Sequence, residues 1–263
     1  MAAKRPFFVI VPGASHNASH YGLLSHLLLK AGYPVFSATL PSVGAAGKIT
    51  AEDDGKYVRD RMILPVLDHE EHDVILLSHS YSGVPASAAG SGLSKAERTA
   101  AGKKTGILGQ IFLAAILTKG GDGNDIVTAF GGNYPPHIRP EPETNLLRCD
   151  DRIPPLLQDV PPELADVCAV SAMAQGMTSF TSPCPRASWD DEAYKGKVAY
   201  IRTTNDACIP FPVQQMMLDG SGVDFIVKDI ESGHSAQVAQ PEKLTQILLD
   251  LAKGFEGLEG EEN

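Results

Sequence analysis

Cysteine is scarce in this chain. Its four residues (Cys149, Cys168, Cys184 and Cys208) all lie in the second half, with no CxxC spacing. That pattern excludes a disulfide framework and offers no paired ligands for a structural zinc, so free thiols and a cytoplasmic setting are expected. Positive charge is also short: 22 Lys and Arg face 32 Asp and Glu, giving a formal net charge of −10. A surface of that sign repels phosphate backbones and anionic lipid, so neither nucleic acid nor a membrane is expected as a partner. No apolar run approaches the ~18 to 20 residues a membrane-spanning helix requires. The N-terminal MAAKRPFFVIVPG lacks the long apolar stretch and small-residue cleavage site of a secretion signal.

What is present is an alternation of short β-branched runs with longer helical ones, the pattern of a mostly parallel sheet flanked by helices, an α/β fold. At 263 residues the chain has length for one large domain of this kind. Strands are expected at 6–11, 33–39, 73–77, within 109–117, at 197–203 and at 223–229. Helices are expected at 20–31, with Leu23, Leu24, Leu27 and Leu28 on one face, from Thr50 toward Asp68, at 83–89 and at 241–253. The closing GLEGEEN is acidic and expected to fray. One stretch breaks the alternation. Between the fourth and fifth strands lie about eighty residues, rich in Pro and Gly, far more than a usual crossover holds. Residues 118–196 are therefore expected to form a helical cap, with a helix over 162–174, and 1–117 with 197–263 to form the core. An insertion at the carboxyl edge of a parallel sheet is well placed to cover a site there.

The chemistry is written most clearly in Asp73-Val-Ile-Leu-Leu-Ser78-His79-Ser80-Tyr81-Ser82-Gly83. A strand runs straight into a cluster of small residues and then into a helix, the setting of a nucleophile elbow, whose usual pattern is G-x-S-x-G. That turn is strained and crowded, so the positions two before and two after the nucleophile must be small. Here both are serine, with Gly83 giving relief one residue later. Ser80 as nucleophile would stand at a helix N-terminus, where dipole and free N–H groups favour developing negative charge. Ser-rich loops after strands are also common without any catalytic role.

A serine hydroxyl needs a base, and in this arrangement the chain order is Ser, acid, His. Of eight histidines only His234 follows the final strand, in Glu231-Ser-Gly-His-Ser235. The acid belongs just past the penultimate strand, where Asp206 stands in Thr203-Thr-Asn-Asp-Ala-Cys-Ile-Pro210. Asp224, Asp229, Asp122 and Asp125 compete with it. An oxyanion hole needs two backbone N–H groups. Tyr81, directly after the nucleophile, would supply one, and Ala14 in the loop Val11-Pro-Gly13-Ala14-Ser15 the other, with Gly13 permitting close backbone approach.

Together FVIVPGASHNASHYGLLSHLLLKAGYPVFSATLPSVG, the Ser80 elbow, the Asp206 segment followed by VQQMM, and SGHSAQVAQPEKL resemble one branch of the α/β-hydrolases. It is the branch of plant methylesterases and hydroxynitrile lyases, on its small-ester hydrolase side, and the likeness covers nearly the whole chain. The resemblance implies an α/β-hydrolase fold and a cofactor-free serine esterase that takes a small-molecule ester. Gly13 and Ser15, with Met173 and Met177 of the cap, would then line the substrate pocket. Hydroxynitrile lyases of the branch carry threonine in the first loop and lysine directly after the histidine. Gly13 and Ser235 stand there instead, which favours ester hydrolysis over a cofactor-free lyase, C–C hydrolase, dioxygenase or ligand receptor built on the same residues. A homodimer is left open.

Other patterns fail on inspection. Gly44-Ala-Ala-Gly47-Lys48-Ile49 lacks both the first glycine and the hydroxyl residue of a phosphate loop. Gly120-Gly-Asp-Gly-Asn-Asp125 has no strand-to-helix context. His16 and His20 have metal-ligand spacing without the glutamate or a third ligand, so no metal is expected. His69 and His72 sit among acids in what reads as a solvated helix end.

Overall fold

The computed structural model describes residues 4–257, so all of the acidic tail except Gly257 lies outside the described residues. Six strands form the main sheet: β1 (Phe7–Val11), β2 (Val35–Ser37), β3 (Val74–His79), β4 (Ile107–Leu113), β8 (Val198–Thr203) and β9 (Ile226–Ile230). Their order is β2-β1-β3-β4-β8-β9 and every pairing is parallel. Each corresponds to one of the six strands read from the sequence. The order reverses between β1 and β3, since β1 is followed by a neighbour on one side and then by a neighbour on the other. Such a switch point opens a crevice at the carboxyl ends of the strands. Here it lies between the loop after β1 and the elbow after β3.

Side chains alternate across a strand, and the core divides accordingly. Val9, Val11, Leu76 and Phe112 join one buried cluster with Val58, Met62, Val84 and Ala86. Phe8, Ile10, Ile75 and Leu77 join the other, with Leu24 and Leu28 of the helix Gly22–Lys30 and Leu244, Leu248 and Phe255 of the helix Pro241–Glu256. The sheet is thus covered on both faces, which is why its central strands are continuous apolar runs.

Two helices differ in detail from expectation. The first opens with a 3-10 turn, Ala18–Tyr21, because Asn17 caps it: Asn17 Oδ1 accepts from Ser19 N at 2.9 Å and Asn17 N–H donates to His20 Nδ1 at 2.9 Å. The run from Thr50 to Asp68 starts with a capping box between Thr50 and Asp53 but widens to a π-helix over Val58–Ile63. Pro65 follows in the helix Leu64–Asp68. It lacks an N–H, and its ring crowds the carbonyl four residues back, so the wider turn accommodates it.

The long stretch after β4 carries its own three-stranded antiparallel sheet, β5 (Arg139–Glu141), β6 (Leu146–Arg148) and β7 (Gln175–Gly176), with short helices around it. The helix expected over 162–174 runs from Pro162 to Ser171. Cys149, Leu156, Leu157, Val160 and Ala165 form a small cluster there, with Val238 of the main body. Further on, Cys184, Ala187, Trp189 and Tyr194 return to the main core.

Gly83 shows how tight the elbow is. A Cβ placed there would lie 2.3 Å from the Ile116 carbonyl oxygen and 3.0 Å from Ala115 Cβ. Because the obstacle is backbone, Gly83→Ala should cost about 1–3 kcal/mol of stability, read as a lowered midpoint in urea denaturation at unchanged slope.

Candidate functional site

Ser80 directly follows β3 and opens the 3-10 turn Ser80–Ser82 that leads into the helix Gly83–Ala89, and its φ is +56°. A non-glycine residue in the left-handed region is strained, and its surroundings must over-determine it. They do. Ser82 Oγ accepts from His79 N–H at 2.8 Å and donates to Val11 O at 2.7 Å, so the serine standing where the usual pattern has glycine ties the elbow to β1. Ile116 N–H holds the Ser80 carbonyl at 2.9 Å. Gly13 leaves the needed room, since a Cβ there would come within 2.9 Å of Ser80 Cβ.

Asp206 and His234 meet although 28 residues separate them in the chain, with His234 Nδ1 2.8 Å from Asp206 Oδ2. Both are buried. The carboxylate is fully satisfied: Oδ2 also accepts from Thr203 Oγ1 at 2.7 Å, and Oδ1 from the N–H groups of Cys208 at 2.7 Å and Ile209 at 2.8 Å. The Gln214 amide braces this turn through Thr203 and Ile209. Burial would raise the Asp206 pKa, but the charge and hydrogen bond of His234 and the backbone donors outweigh it and hold the pKa low. Burial would likewise lower that of His234, yet Asp206, with Cys208, raises it well above its ordinary value. An Nδ1–H pointed at a carboxylate leaves Nε2 as the basic nitrogen. That atom is buried and has no hydrogen-bond partner among the described residues. The competing acids are engaged elsewhere: Asp229 pairs with Arg202, Asp122 with Asn124, Asp125 caps a helix, and Asp224 is exposed.

Around this pair runs a buried chain that ties three loops together. Gly13 N–H donates to Tyr21 Oη at 3.1 Å, Tyr21 Oη–H to His79 Nδ1 at 2.7 Å, and His79 Nε2–H to the His234 carbonyl at 2.9 Å. Burial, followed by the nearby His234 and His16, holds the His79 pKa well below the usual range, so it stays neutral and keeps this tautomer. Asp159, from the stretch after β4, receives Ser232 Oγ–H at 2.9 Å and Gly233 N–H at 2.6 Å and so clasps the loop that carries His234.

In the loop after β1, the N–H groups flanking Ala14 are both taken, Gly13 by Tyr21 and Ser15 by Gln175 Oε1 at 3.1 Å. The Ala14 carbonyl is held by His16 Nδ1 at 2.8 Å. His16 itself is kept neutral, its pKa lowered to about 3 by burial and then by His20. Ala14 N–H is therefore the one between two committed neighbours. The His16 and His20 rings lie 5.1 Å apart, and no group of three or more metal-ligating side chains occurs among the described residues.

An apolar cavity of about 410 Å³ lies beside the site, walled by Ile116, Ile126, Phe130, Phe180, Cys208 and Val213 among others. Ile116 and Cys208 are the residues whose N–H groups hold Ser80 and Asp206. His137 lies on the same wall with its Nε2 3.3 Å from Cys208 Sγ. Burial would push that thiol up, but His234 and His137 bring it down to about 7. Met173 and Met177 are not on this wall. Met173 is half exposed with its side chain against Gly44 and its N–H on the Ser15 carbonyl, and Met177 N–H bonds to Asn145 O at 2.8 Å. Tyr21, Asp54, His79, Asp159, Gln175 and Gln214 carried no signal of their own in the sequence. Tyr21, His79 and Gln214 lie within the segments FVIVPGASHNASHYGLLSHLLLKAGYPVFSATLPSVG, the Ser80 elbow and VQQMM, where local pattern gives them no role.

A sequence model of the alpha/beta hydrolase family matches residues 8–247. The chain is 25% identical over 253 residues to an alpha/beta hydrolase of Aspergillus novofumigatus, covering 94% of this chain and 97% of that one. It is 25% identical over 253 residues to a carbendazim hydrolyzing esterase of Nocardioides sp., covering 93% and 98%. Among solved structures, the pyrethroid hydrolase of Sphingobium faniae superposes with a TM-score of 0.70 at 22% identity, covering 94% of this chain and 97% of that one. At that identity the likeness establishes the fold. No helix among the described residues is long and apolar enough to cross a membrane.

An imidazole works as a base only when neutral. Because Asp206 raises the pKa of His234, any reaction that depends on this base should have kcat/KM rising with pH through an apparent pKa above the ordinary ~6.5. In Asp206→Asn the carboxylate is gone and burial dominates, so the limb should move to lower pH while kcat falls by roughly 10⁴. A pH–rate profile of both proteins checks this.

Proposed function

The chain belongs to the alpha/beta hydrolase family, and on that premise we propose that it hydrolyses a carboxylic ester through an acyl-enzyme on Ser80. The observation that carries this reading is the buried His234, held at Nδ1 by a fully bonded carboxylate with Nε2 left unpaired and its ring 4.7 Å from that of His79, the residue before the strained Ser80. In this mechanism Nε2 takes the Ser80 proton as Oγ attacks the ester carbonyl, and Asp206 stabilises the imidazolium that forms. Ala14 and Tyr81 N–H groups receive the oxyanion. The imidazolium returns its proton to the leaving alcohol, and water, activated by the same nitrogen, releases the acid. No cofactor enters any step.

Residues 118–196 act as the cap in this proposal, and the apolar cavity under it receives the larger substituent of the ester. The walls of Ile116, Ile126, Phe130, Phe180 and Val213 suit an aliphatic or aromatic group. The names of its relatives, hydrolase and esterase, support the reaction class. Ser235 directly after His234 supports hydrolysis over cyanide release, because its short neutral side chain cannot supply the ammonium that the lyases of the resembling branch place there.

Ser80→Ala should reduce turnover of aryl esters at least ~10³-fold while thermal denaturation stays within a few degrees of wild type, and should abolish labelling by a fluorophosphonate. Turnover that survives this change would overturn the reading. Lengthening the apolar group of the ester should raise kcat/KM about four-fold per methylene until the cavity is filled. A flat series would exclude the cavity as the binding site.

A further inference from the structure

One buried amide is linked through hydrogen-bonded neighbours to both halves of the oxyanion hole just proposed. Gln175 opens β7, where the inserted stretch turns back toward the main sheet, and it is 2% exposed. Its Oε1 accepts the Ser15 N–H at 3.1 Å. Its Nε2 donates to Ser42 Oγ at 2.7 Å and to Ser179 Oγ at 2.8 Å. Ser42 donates its own hydroxyl proton to Asp54, and its N–H reaches Asp54 Oδ1 at 3.1 Å. Tyr81 Oη–H closes the chain on Asp54 Oδ2 at 2.8 Å. Every member is buried.

Burial raises the Asp54 pKa and the hydrogen bonds of Ser42 and Tyr81 oppose that rise; with Asp54 ionised, the direction of each bond follows. A carboxylate only accepts, so Ser42 and Tyr81 must donate to it. Ser42 then has its lone pairs free for Gln175 Nε2, which forces the amide oxygen toward Ser15. A primary amide offers one acceptor oxygen and two N–H donors on one nitrogen, which is the set that Ser15, Ser42 and Ser179 take up. The consequence at Ala14 is specific. The peptide joining Ala14 to Ser15 is held at its carbonyl by His16 and at its N–H by Gln175, while Ser15 sits at φ +64°. Without the Gln175 oxygen that N–H would be buried and unpaired, and the peptide would be free to swing.

We propose that Gln175 is a positioning residue for the oxyanion hole, aligning Ala14 through the Ser15 peptide and Tyr81 through Ser42 and Asp54. This rests on the ester-hydrolase reading above. It makes the inserted stretch a structural part of the reaction centre in addition to any role as a cover.

The test compares wild type and Gln175→Leu for hydrolysis of one aryl ester and for inhibition by an aryl trifluoromethyl ketone, which forms a tetrahedral adduct with a nucleophilic serine. Gln175→Leu should lower kcat by about ten-fold or more with KM within about three-fold, and ketone affinity should fall in parallel with kcat/KM. A purely structural role would not single out the tetrahedral adduct. Unchanged kcat, or lowered kcat with undiminished ketone affinity, would overturn the assignment. Should Gln175→Leu fail to fold, Ser42→Ala, which cuts only the arm toward Asp54, is read in the same way with a smaller parallel loss expected in both measurements. If wild type itself neither turns over the ester nor is labelled at Ser80, the hydrolase reading falls and this inference with it. If wild type does both and Gln175→Leu equals it, only the role of Gln175 falls.

Discussion

The contact on which the site depends is the hydrogen bond between His234 and Asp206, made where no water competes with it. A buried carboxylate is tolerable only when its lone pairs are filled, and Asp206 fills all four with two backbone N–H groups, a threonine hydroxyl and the imidazole. The imidazole thereby acquires one orientation and one tautomer. Removing either partner of such a buried pair costs on the order of 3–5 kcal/mol, because the other is left uncompensated. The loops after β8 and β9 are thus locked to each other by the same bond that leaves Nε2 basic.

The remaining polar groups under the sheet edge are organised by the same constraint. In two runs of buried groups each donor has a partner whose own valence is used elsewhere, so the loops are joined in series. Gly13, Tyr21, His79 and the His234 carbonyl form one such series, and Ser15, Gln175, Ser42, Asp54 and Tyr81 form another. Both begin in the loop after β1. One ends at the histidine loop and the other at the residue following Ser80. The strained backbone at Ser15 and Ser80 is held by these networks and by close packing at Gly13 and Gly83.

The stretch after β4 is bonded into this arrangement at several points, among them Asp159 to the His234 loop and Gln175 and Met173 to the β1 loop. The wall of the apolar cavity includes Ile116 and Cys208, which also hold the Ser80 carbonyl and the Asp206 carboxylate. The geometry of the polar centre and the shape of the cavity are therefore not independent, and a change in one is transmitted to the other through Ile116 and Cys208.

The main sheet was legible from local pattern, because continuous apolar runs at β1, β3, β4 and β8 are what a strand buried on both faces requires. That the loops bearing Ser80, Asp206 and His234 share one edge was legible because strand ends in a parallel sheet put their following loops there, so position relative to a strand stands in for position in space. The π turn before Pro65 and the small sheet of β5, β6 and β7 were not, since short Pro- and Gly-rich segments carry little periodicity. Nor were Gln175, Asp54, Tyr21 and Asp159. A glutamine or aspartate reads as solvated surface until folding buries it, and its role then depends on partners as far as 160 residues away in sequence. The sequence by itself determined the layered fold and which loops share an edge. Tertiary structure alone decided which buried polar groups pair, because hydrogen bonding in a water-free interior is a property of the whole assembled neighbourhood and of no single segment.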